Sequence, residues 1–251
     1  MIPRGLKKLM KDTAPCKLVG RNQTAHFQTH DGHRLRGLTK RLESNVFSRG
    51  VMPAIARSSA LPAGGHWRGA GGGRRRGSAV DAQVSRLAGA SAAARSRARM
   101  LQLTRHVFAT FAQRGLEPVL GQRAVCAARL GVGTAADVIC FDVAARELVV
   151  VELKCGHSGG RTAAAIWDGK PLKMRGALSA CDDSTLHRHL AQLACTRAML
   201  LQESETMARL ADIGVAGVGG LLMYANDANV AVYELPKWWR EKAPLALRAL
   251  Q

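Results

Sequence analysis

The chain has 251 residues, of which 47% are hydrophobic, so it can bury a sizeable core and is not a wholly disordered protein. Its formal net charge of +19 at pH 7 indicates a polyanionic partner, most often a nucleic acid. No apolar run approaches the length that a transmembrane helix needs, so we expect no membrane partner.

The excess of positive charge is concentrated at the N-terminal end. Residues 1–76 contain sixteen Lys and Arg against three acidic residues, and the stretch LPAGGHWRGAGGGRRRGS lacks hydrophobic periodicity. We therefore predict a basic, flexible and disordered arm over residues 1–76 and a folded domain over 77–251. Such an arm binds phosphate without a fold, and its predicted nucleic-acid contacts are Arg74, Arg75 and Arg76. The alternative is a tail that keeps the protein in solution.

Helices and then strands are predicted at the start of the folded domain. Apolar residues at helical spacing predict one helix from Ser78 and a second over about 95–114, which Gly115 ends. The stretches AVCAARLGVGTAADVICFD and ELVVVELKC are rich in β-branched residues, so we predict that they are strands.

The rest of the domain continues the mixture of helix and strand. After a predicted polar loop over 156–183, Asp183 or Ser184 caps a long helix that continues to about Gln202. A β-hairpin is predicted around Asn226-Asp227. This order of elements predicts a mixed α/β protein.

An acidic residue and a Glu-x-Lys triplet stand at the ends of the two central strands. If the turn is centred between Ala144 and Ala145, Asp137 lies opposite Glu152, and Lys154 shares the face of Glu152. Two opposed carboxylates repel each other, so we expect a hard divalent cation such as Mg²⁺ between them. Lys154 would then position or deprotonate an attacking water, or stabilise charge on a phosphate. We also predict that a bound cation and partial burial lower the pKa of Lys154. The alternative is a strand-end Asp and a solvated Glu–Lys pair.

The stretch GTAADVICFDVAARELVVVELKCG resembles the core of the PD-(D/E)XK nuclease superfamily, in the branch of RecB-like and lambda-type exonucleases. The resemblance implies a restriction-endonuclease-like core, with a central mixed sheet flanked by helices. It also implies that Asp137, Glu152 and the Leu153 carbonyl bind one or two Mg²⁺ or Mn²⁺ ions, and that Lys154 is catalytic.

Two flanking residues extend this resemblance. RecB-like proteins carry an acidic or His residue on the first core helix, and Asp81 is the candidate metal ligand there. The alternative is a surface Asp in the first turn of a helix, where the helix dipole stabilises a negative charge. These proteins also carry Gln followed four residues later by Tyr, after the catalytic strand. Gln192 matches the Gln as a candidate catalytic-site residue, but position 196 is Thr.

Together with the charge, this resemblance implies a Mg²⁺-dependent nuclease with DNA favoured over RNA as its substrate, and an exonuclease for repair, recombination or replication processing. The alternative is a catalytically silent nuclease-fold protein that binds or packages nucleic acid. The polar loop supplies further predicted contacts to the nucleic-acid backbone, and a solvated loop is the alternative reading for its cations: Arg161, Lys170, Lys173 and Arg175.

Six cysteines without a CxxC pair predict reduced thiols. Reduced thiols indicate an intracellular protein of the nucleus, cytoplasm or mitochondrion rather than a secreted one. The sequence is compatible with a homo-oligomer.

Overall fold

The computed structural model describes residues 2–20, 26–48, 72–155, 172–225 and 229–250, with the backbone alone for residues 72–75. Within these residues the protein is an α/β structure in which eight helices flank a mixed, open sheet of eight strands. The strands are β1 (Cys16–Val19), β2 (His26–Thr29), β3 (Arg34–Gly37), β4 (Leu116–Ala127), β5 (Val132–Asp142), β6 (Glu147–Cys155), β7 (Gly217–Ala225) and β8 (Val230–Glu234). The helices are α1 (Leu6–Asp12), α2 (Leu38–Asn45), α3 (Gly72–Leu87), α4 (Ala92–Arg97), α5 (Gln102–Gln113), α6 (Thr185–Leu201), α7 (Ser204–Asp212) and α8 (Lys237–Arg248).

The sheet runs in the order β1-β2-β3-β5-β6-β7-β8, and β4 pairs with the other edge of β5. The pairs β3–β5 and β6–β7 are parallel, and the other pairs are antiparallel. One face of the sheet packs against α1, α2, α6 and α8, and the other packs against α3 and α5. Apolar side chains on β6 alternate between these faces, since Leu148 and Val150 belong to the first core and Val149 and Val151 to the second.

The hairpin of β5 and β6 has the predicted register. Val138 pairs with Val151, and Asp142 pairs with Glu147, which places the turn centre between Ala144 and Ala145. Asp142 Oδ1 accepts hydrogen bonds from the N–H groups of Ala144 and Ala145, both at 2.9 Å, and so closes the turn. The turn chemistry and the apolar alternation therefore agree on a single register.

The predicted C-terminal elements are confirmed. Ser184 caps α6 by accepting a hydrogen bond from the N–H of His187 at 3.2 Å. Strands β7 and β8 form an antiparallel hairpin that ends at the pair Ala225 and Val230, while its predicted turn lies outside the described residues. In contrast, the single helix predicted over 95–114 is two helices, α4 and α5. The chain is extended at Ala98 and Leu101, and the N–H of Leu101 is satisfied by Gln83 at 2.9 Å.

The predicted disordered arm is wrong for the described residues of 2–48. This segment forms α1, β1, β2, β3 and α2, and β3 joins the central sheet beside β5. Leu6, Met10, Leu38 and Leu42 are 0–1% exposed in the main core. The abundant cations surround short apolar clusters at helical spacing, and burial of those clusters folds the segment. The predicted boundary between residues 76 and 77 is also wrong, because it falls inside α3.

No helix in the described part of the chain is both long and apolar enough to cross a bilayer.

Candidate active site

The candidate site lies where β5 and β6 separate. One edge of β5 is paired along its length with β4, while its other edge pairs with β3 at Val132–Gly133 and with β6 only from Val138 onward. Asp137 is the residue immediately before the β6 ladder begins. Its Oδ2 accepts a hydrogen bond from the N–H of Leu153 at 2.8 Å. The side chain of Asp137 therefore bridges the fork to Leu153, and Asp137 lies opposite Glu152 as the predicted register requires.

Glu152 is the most deeply buried of the predicted site residues that the structure describes, at 1% exposure. Lys154 Nζ donates a hydrogen bond to Glu152 Oε1, so the two side chains form an ion pair on one strand face. Burial, and then the nearby Asp137 carboxylate, raise the pKa of Glu152 to about 8. Burial also raises the pKa of Asp137, although Lys154 opposes this. The solvated pair considered from the sequence is therefore a buried pair.

Lys154 has a raised pKa, contrary to the predicted lowering. Burial is the largest single influence and lowers the pKa of Lys154, but Glu152, Asp137 and Asp81 together raise it by more. The prediction failed because it considered burial and a bound cation and omitted the carboxylates that surround the amine. The Lys154 amine donates a hydrogen bond to Glu152, and the neighbouring carboxylates favour its charged form.

Asp81 joins this group from another element. It lies on α3, which packs against β4, β5 and β6. Burial, followed by the charge of Asp137, raises the pKa of Asp81 to about 7, and Lys154 lowers it. Asp81 is therefore close enough to interact with Asp137 and Lys154, which the sequence alone could not establish for residues 56 or more positions apart.

Gln122 is a site residue that the sequence analysis missed. It lies on β4 between Gly121, which pairs with Val138, and Arg123, so it is opposite Asp137. Its backbone has a φ of +52°, which is costly for a residue with a side chain, and its side chain donates a hydrogen bond to Asp137. Strained residues of this kind concentrate at functional sites. Its local sequence contains no signal that predicts this conformation.

Tyr224 and His189 connect the site to α6. Tyr224 is the register partner of Lys154 on β7, and its hydroxyl lies 2.7 Å from Nδ1 of His189. Burial, then Tyr233 and Glu152, raise the pKa of Tyr224. Gln192 is one turn further along α6 and is half-buried. Among the described contacts, none joins the Gln192 side chain to the site carboxylates, so its predicted role stays a prediction.

The predicted nucleic-acid contacts have varied positions. Arg76 is 9% exposed, and burial lowers its pKa, so it is not a solvent-exposed arm residue as predicted. Lys173 pairs with Asp182 at 2.7 Å, and Arg175 donates to the carbonyls of Phe47 at 2.9 Å and Ser44 at 2.7 Å. Phosphate binding by these two residues stays a prediction. Four residues have side chains outside the described set: Arg74, Arg75, Arg161 and Lys170.

The oxygen donors at the fork suit a hard divalent cation. Asp137, Glu152 and the Leu153 carbonyl could hold it, with Asp81 nearby, and oxygen ligands are those that Mg²⁺ and Mn²⁺ prefer. Within the described residues, no three Asp, Glu, His or Cys side chains converge closely enough to form a metal-binding group. The fit therefore rests on chemistry: the three acids have raised pKa values and share one nearby lysine, so negative charge is left uncompensated when they ionise.

Comparisons with protein-family models, with curated proteins and with solved structures found no match. The resemblance to the PD-(D/E)XK superfamily therefore depends on the residues of β5 and β6 themselves.

Proposed function

We propose that the protein is a divalent-metal-dependent nuclease of the PD-(D/E)XK type that hydrolyses phosphodiester bonds, with DNA as the favoured substrate. The observation that carries the proposal is the group of Asp137, Glu152 and Lys154 at the fork of β5 and β6. Buried acids with raised pKa values and a cation are arrangements found at catalytic sites. The proposal also implies that the mixed α/β fold is a restriction-endonuclease-like core.

Each residue has a defined task in this proposal. Asp137, Glu152 and the Leu153 carbonyl hold Mg²⁺ or Mn²⁺, as one or two ions. When bound, such an ion supplies a Lewis acid that lowers the pKa of water and neutralises charge on phosphate. The N–H of Leu153 and the side chain of Gln122 orient Asp137. The raised pKa of Lys154 favours a charged amine that stabilises negative charge on the phosphate, rather than a base that removes a proton.

The first test is cleavage of an end-labelled DNA duplex by the full chain with Mg²⁺, with Mn²⁺ and with EDTA. We expect divalent-dependent cleavage that Asp137→Asn abolishes. Asp142→Asn is the matched control, because Asp142 lies on the same strand but accepts only turn hydrogen bonds. A wild-type protein that leaves the duplex intact with both metals, or a D137N variant as active as wild type, would refute the proposal. Labelling either end reports exonuclease polarity, and a matched RNA duplex tests the preference for DNA.

A second candidate function is binding or packaging of nucleic acid without cleavage. Asp137 and Glu152 both have partners within the protein, which is the pattern of a structural polar network. This candidate predicts that the duplex is bound but not cut, with or without metal. An intracellular location fits both functions, since all six cysteines are free thiols.

A further inference from the structure

A basic cleft lies between the β2–β3 hairpin, α2 and the start of β5. Its volume is about 640 Å³, and no acidic residue is among the described residues that line it. Its charged lining residues include the exposed Arg34, Arg36 and Lys40 and the partly exposed Arg41. Because Arg34 and Arg36 are two residues apart on one strand, their side chains lie on the same face. The cleft is therefore strongly electropositive.

Arg41 carries a buried polar atom that lacks a protein partner. Its Nε is buried and makes no hydrogen bond within the described residues. A buried donor without an acceptor destabilises the fold, and such groups in native structures call for an explanation. The rest of the Arg41 side chain is partly exposed and lines the cleft, and the guanidinium charge favours an anionic acceptor there.

The N-terminus of α2 opens into the same cleft. Gly37 is its N-cap, with an extended backbone at φ −65° and ψ 133°, and it has no side chain that could cap the helix. The first turn contains no acidic residue. Gly37, Leu38 and Thr39 line the cleft beside the cations. Uncapped N–H groups and the positive end of the helix dipole favour an anion at this position.

We propose that this cleft binds phosphates of a nucleic-acid backbone next to the active site. The inference rests on the proposed function for the identity of the partner. Exposed cations line the cleft from both β3 and α2, which suits several phosphates of a polymeric chain better than one enclosed phosphate. Gly133 and Thr134 line the cleft on β5, and Thr134 precedes Asp137 by only three residues, or about 10 Å of strand. A duplex carries one charge per ~1.7 Å of its axis, so about six of its charges fall within about 10 Å, and a short duplex is long enough to reach from the cleft to Asp137.

The test measures binding of a fluorescein-labelled DNA duplex to the full chain in EDTA, by anisotropy over a range of salt concentrations. For Arg34→Gln/Arg36→Gln we expect roughly tenfold weaker binding. The slope of log affinity against log salt should fall by about 1.8, which corresponds to two lost phosphate contacts.

The matched control is Arg97→Gln/Arg99→Gln, which removes two exposed arginines of the same spacing. The neighbouring Arg95 contacts Glu117, whose partner on β5 is Phe141, about 26 Å along the strand from Gly133. This control should lose little affinity. Equal losses in the two double variants would show that only net charge matters, and no loss in the cleft variant would also overturn the inference.

Gly37→Asp separates binding from folding. An added Cβ at Gly37 meets no atom within 4 Å, and Asp is a good N-cap at this backbone conformation. We expect a higher Tm but weaker duplex binding, because the carboxylate occupies the anion position. Unchanged duplex binding would contradict the inference. Loss of binding to phosphatidylserine vesicles without loss of duplex binding would assign the cleft to a membrane surface instead and would also contradict it.

The two proposals can fail separately. If the wild type cuts DNA and the cleft variants bind DNA normally, the cleft inference is wrong and the nuclease proposal stands. If no metal supports cleavage but the cleft variants lose affinity, the nuclease proposal is wrong and the cleft remains a nucleic-acid site.

Discussion

At the scale of single residues, burial sets the protonation of the fork between β5 and β6. It disfavours charge on Glu152, Asp137 and Asp81, and each acid also disfavours charge on its neighbours. Lys154 offsets part of this repulsion. Because the pKa of Glu152 is raised to about 8, this carboxyl takes up a proton at a higher pH than a free carboxyl does, and its ion pair with Lys154 then becomes a hydrogen bond to a neutral acid. The three carboxyl groups can therefore carry little net charge in the folded protein, and they can release their protons when a bound cation compensates the negative charge.

Lys154→Met tests whether the amine acts in catalysis or only in folding. Met keeps the apolar stem and removes the charge, and Glu152 can respond by holding its proton more firmly, so we expect the variant to fold. Metal-dependent cleavage should fall by about 10²–10³-fold, the range typical of removing one group that stabilises charge in the transition state. Single-turnover cleavage and duplex binding are measured together, with the exposed Lys237→Met as control. Undiminished cleavage would exclude Lys154 from the chemistry.

The raised pKa values predict that stability falls as pH rises. An acid whose pKa is higher in the folded than in the unfolded protein contributes its full stabilisation below the unfolded pKa. That contribution is lost as the pH rises from the unfolded pKa through the folded pKa. For Glu152 this window runs from 4.5 to about 8, and for Asp81 from 3.8 to about 7. Urea unfolding should therefore show lower stability at pH 8.5 than at pH 6. Mg²⁺ should restore more stability at pH 8.5, where its ligands are ionised.

Glu152→Gln is the variant that isolates this pH effect. It cannot ionise, so its stability should depend less steeply on pH between 6 and 8.5 than that of the wild type. The mutation also removes the ion pair with Lys154, so the comparison is between slopes rather than between absolute stabilities. The same slope in both proteins would show that Glu152 does not titrate in this window.

At the scale of elements, a buried ion pair joins the N-terminal segment to the sheet. Arg123 on β4 is 2% exposed and pairs with Glu203, just before α7, at 2.6 Å. Its Nε also donates to the Met10 carbonyl of α1 at 2.9 Å. One guanidinium therefore ties together β4, α1 and the start of α7.

Arg123→Met should be among the most damaging single changes in the chain. It leaves the Glu203 carboxylate buried without its partner and the Met10 carbonyl without its donor, at a cost of about 3–5 kcal/mol by analogy with other broken buried pairs. The double variant Arg123→Met/Glu203→Leu should be less destabilised than R123M, because no charge is left unpaired. Urea unfolding measures both. If the double variant is as unstable as the sum of its single changes, the pair is not coupled.

Elements defined by local sequence pattern could be predicted, and elements defined by long-range pairing could not. The β5–β6 hairpin has a short turn and a continuous β-branched run, so its register and the opposition of Asp137 and Glu152 follow from local pattern. Strands β1, β2 and β3 have four residues each, too few for a clear alternation. Strand β3 pairs with β5 almost 100 residues away, and only the fold brings them together. Gln122 escaped prediction for the same reason, since its conformation is set by packing.

At the scale of the whole molecule, the basic N-terminal segment contributes both to the hydrophobic core and to the positive charge of the surface. Its described elements extend the sheet and fill the core on the α6 face, while their cations stay on the surface. A net charge of +19 on such a scaffold steers polyanions toward it at low salt. The cleft beside α2 places part of this charge at the start of β5, the strand that carries Asp137.

Truncation and charge neutralisation should therefore have different effects. A chain that starts at Gly72 loses Leu6, Met10, Leu38 and Leu42 from the core. At ~1.5–3 kcal/mol for each buried side chain, the loss is roughly 6–12 kcal/mol, comparable with the total stability of a domain. We expect this chain to lack a cooperative unfolding transition by urea titration.

The full chain with Lys8, Lys11 and Lys17 changed to Gln should unfold cooperatively at a urea concentration close to that of the wild type, since all three lysines are exposed. Its duplex affinity should depend less steeply on salt, by up to about 0.9 in the log–log slope for each lysine that contacts phosphate. A truncated chain that unfolds cooperatively with wild-type stability would restore the view of this segment as a dispensable arm.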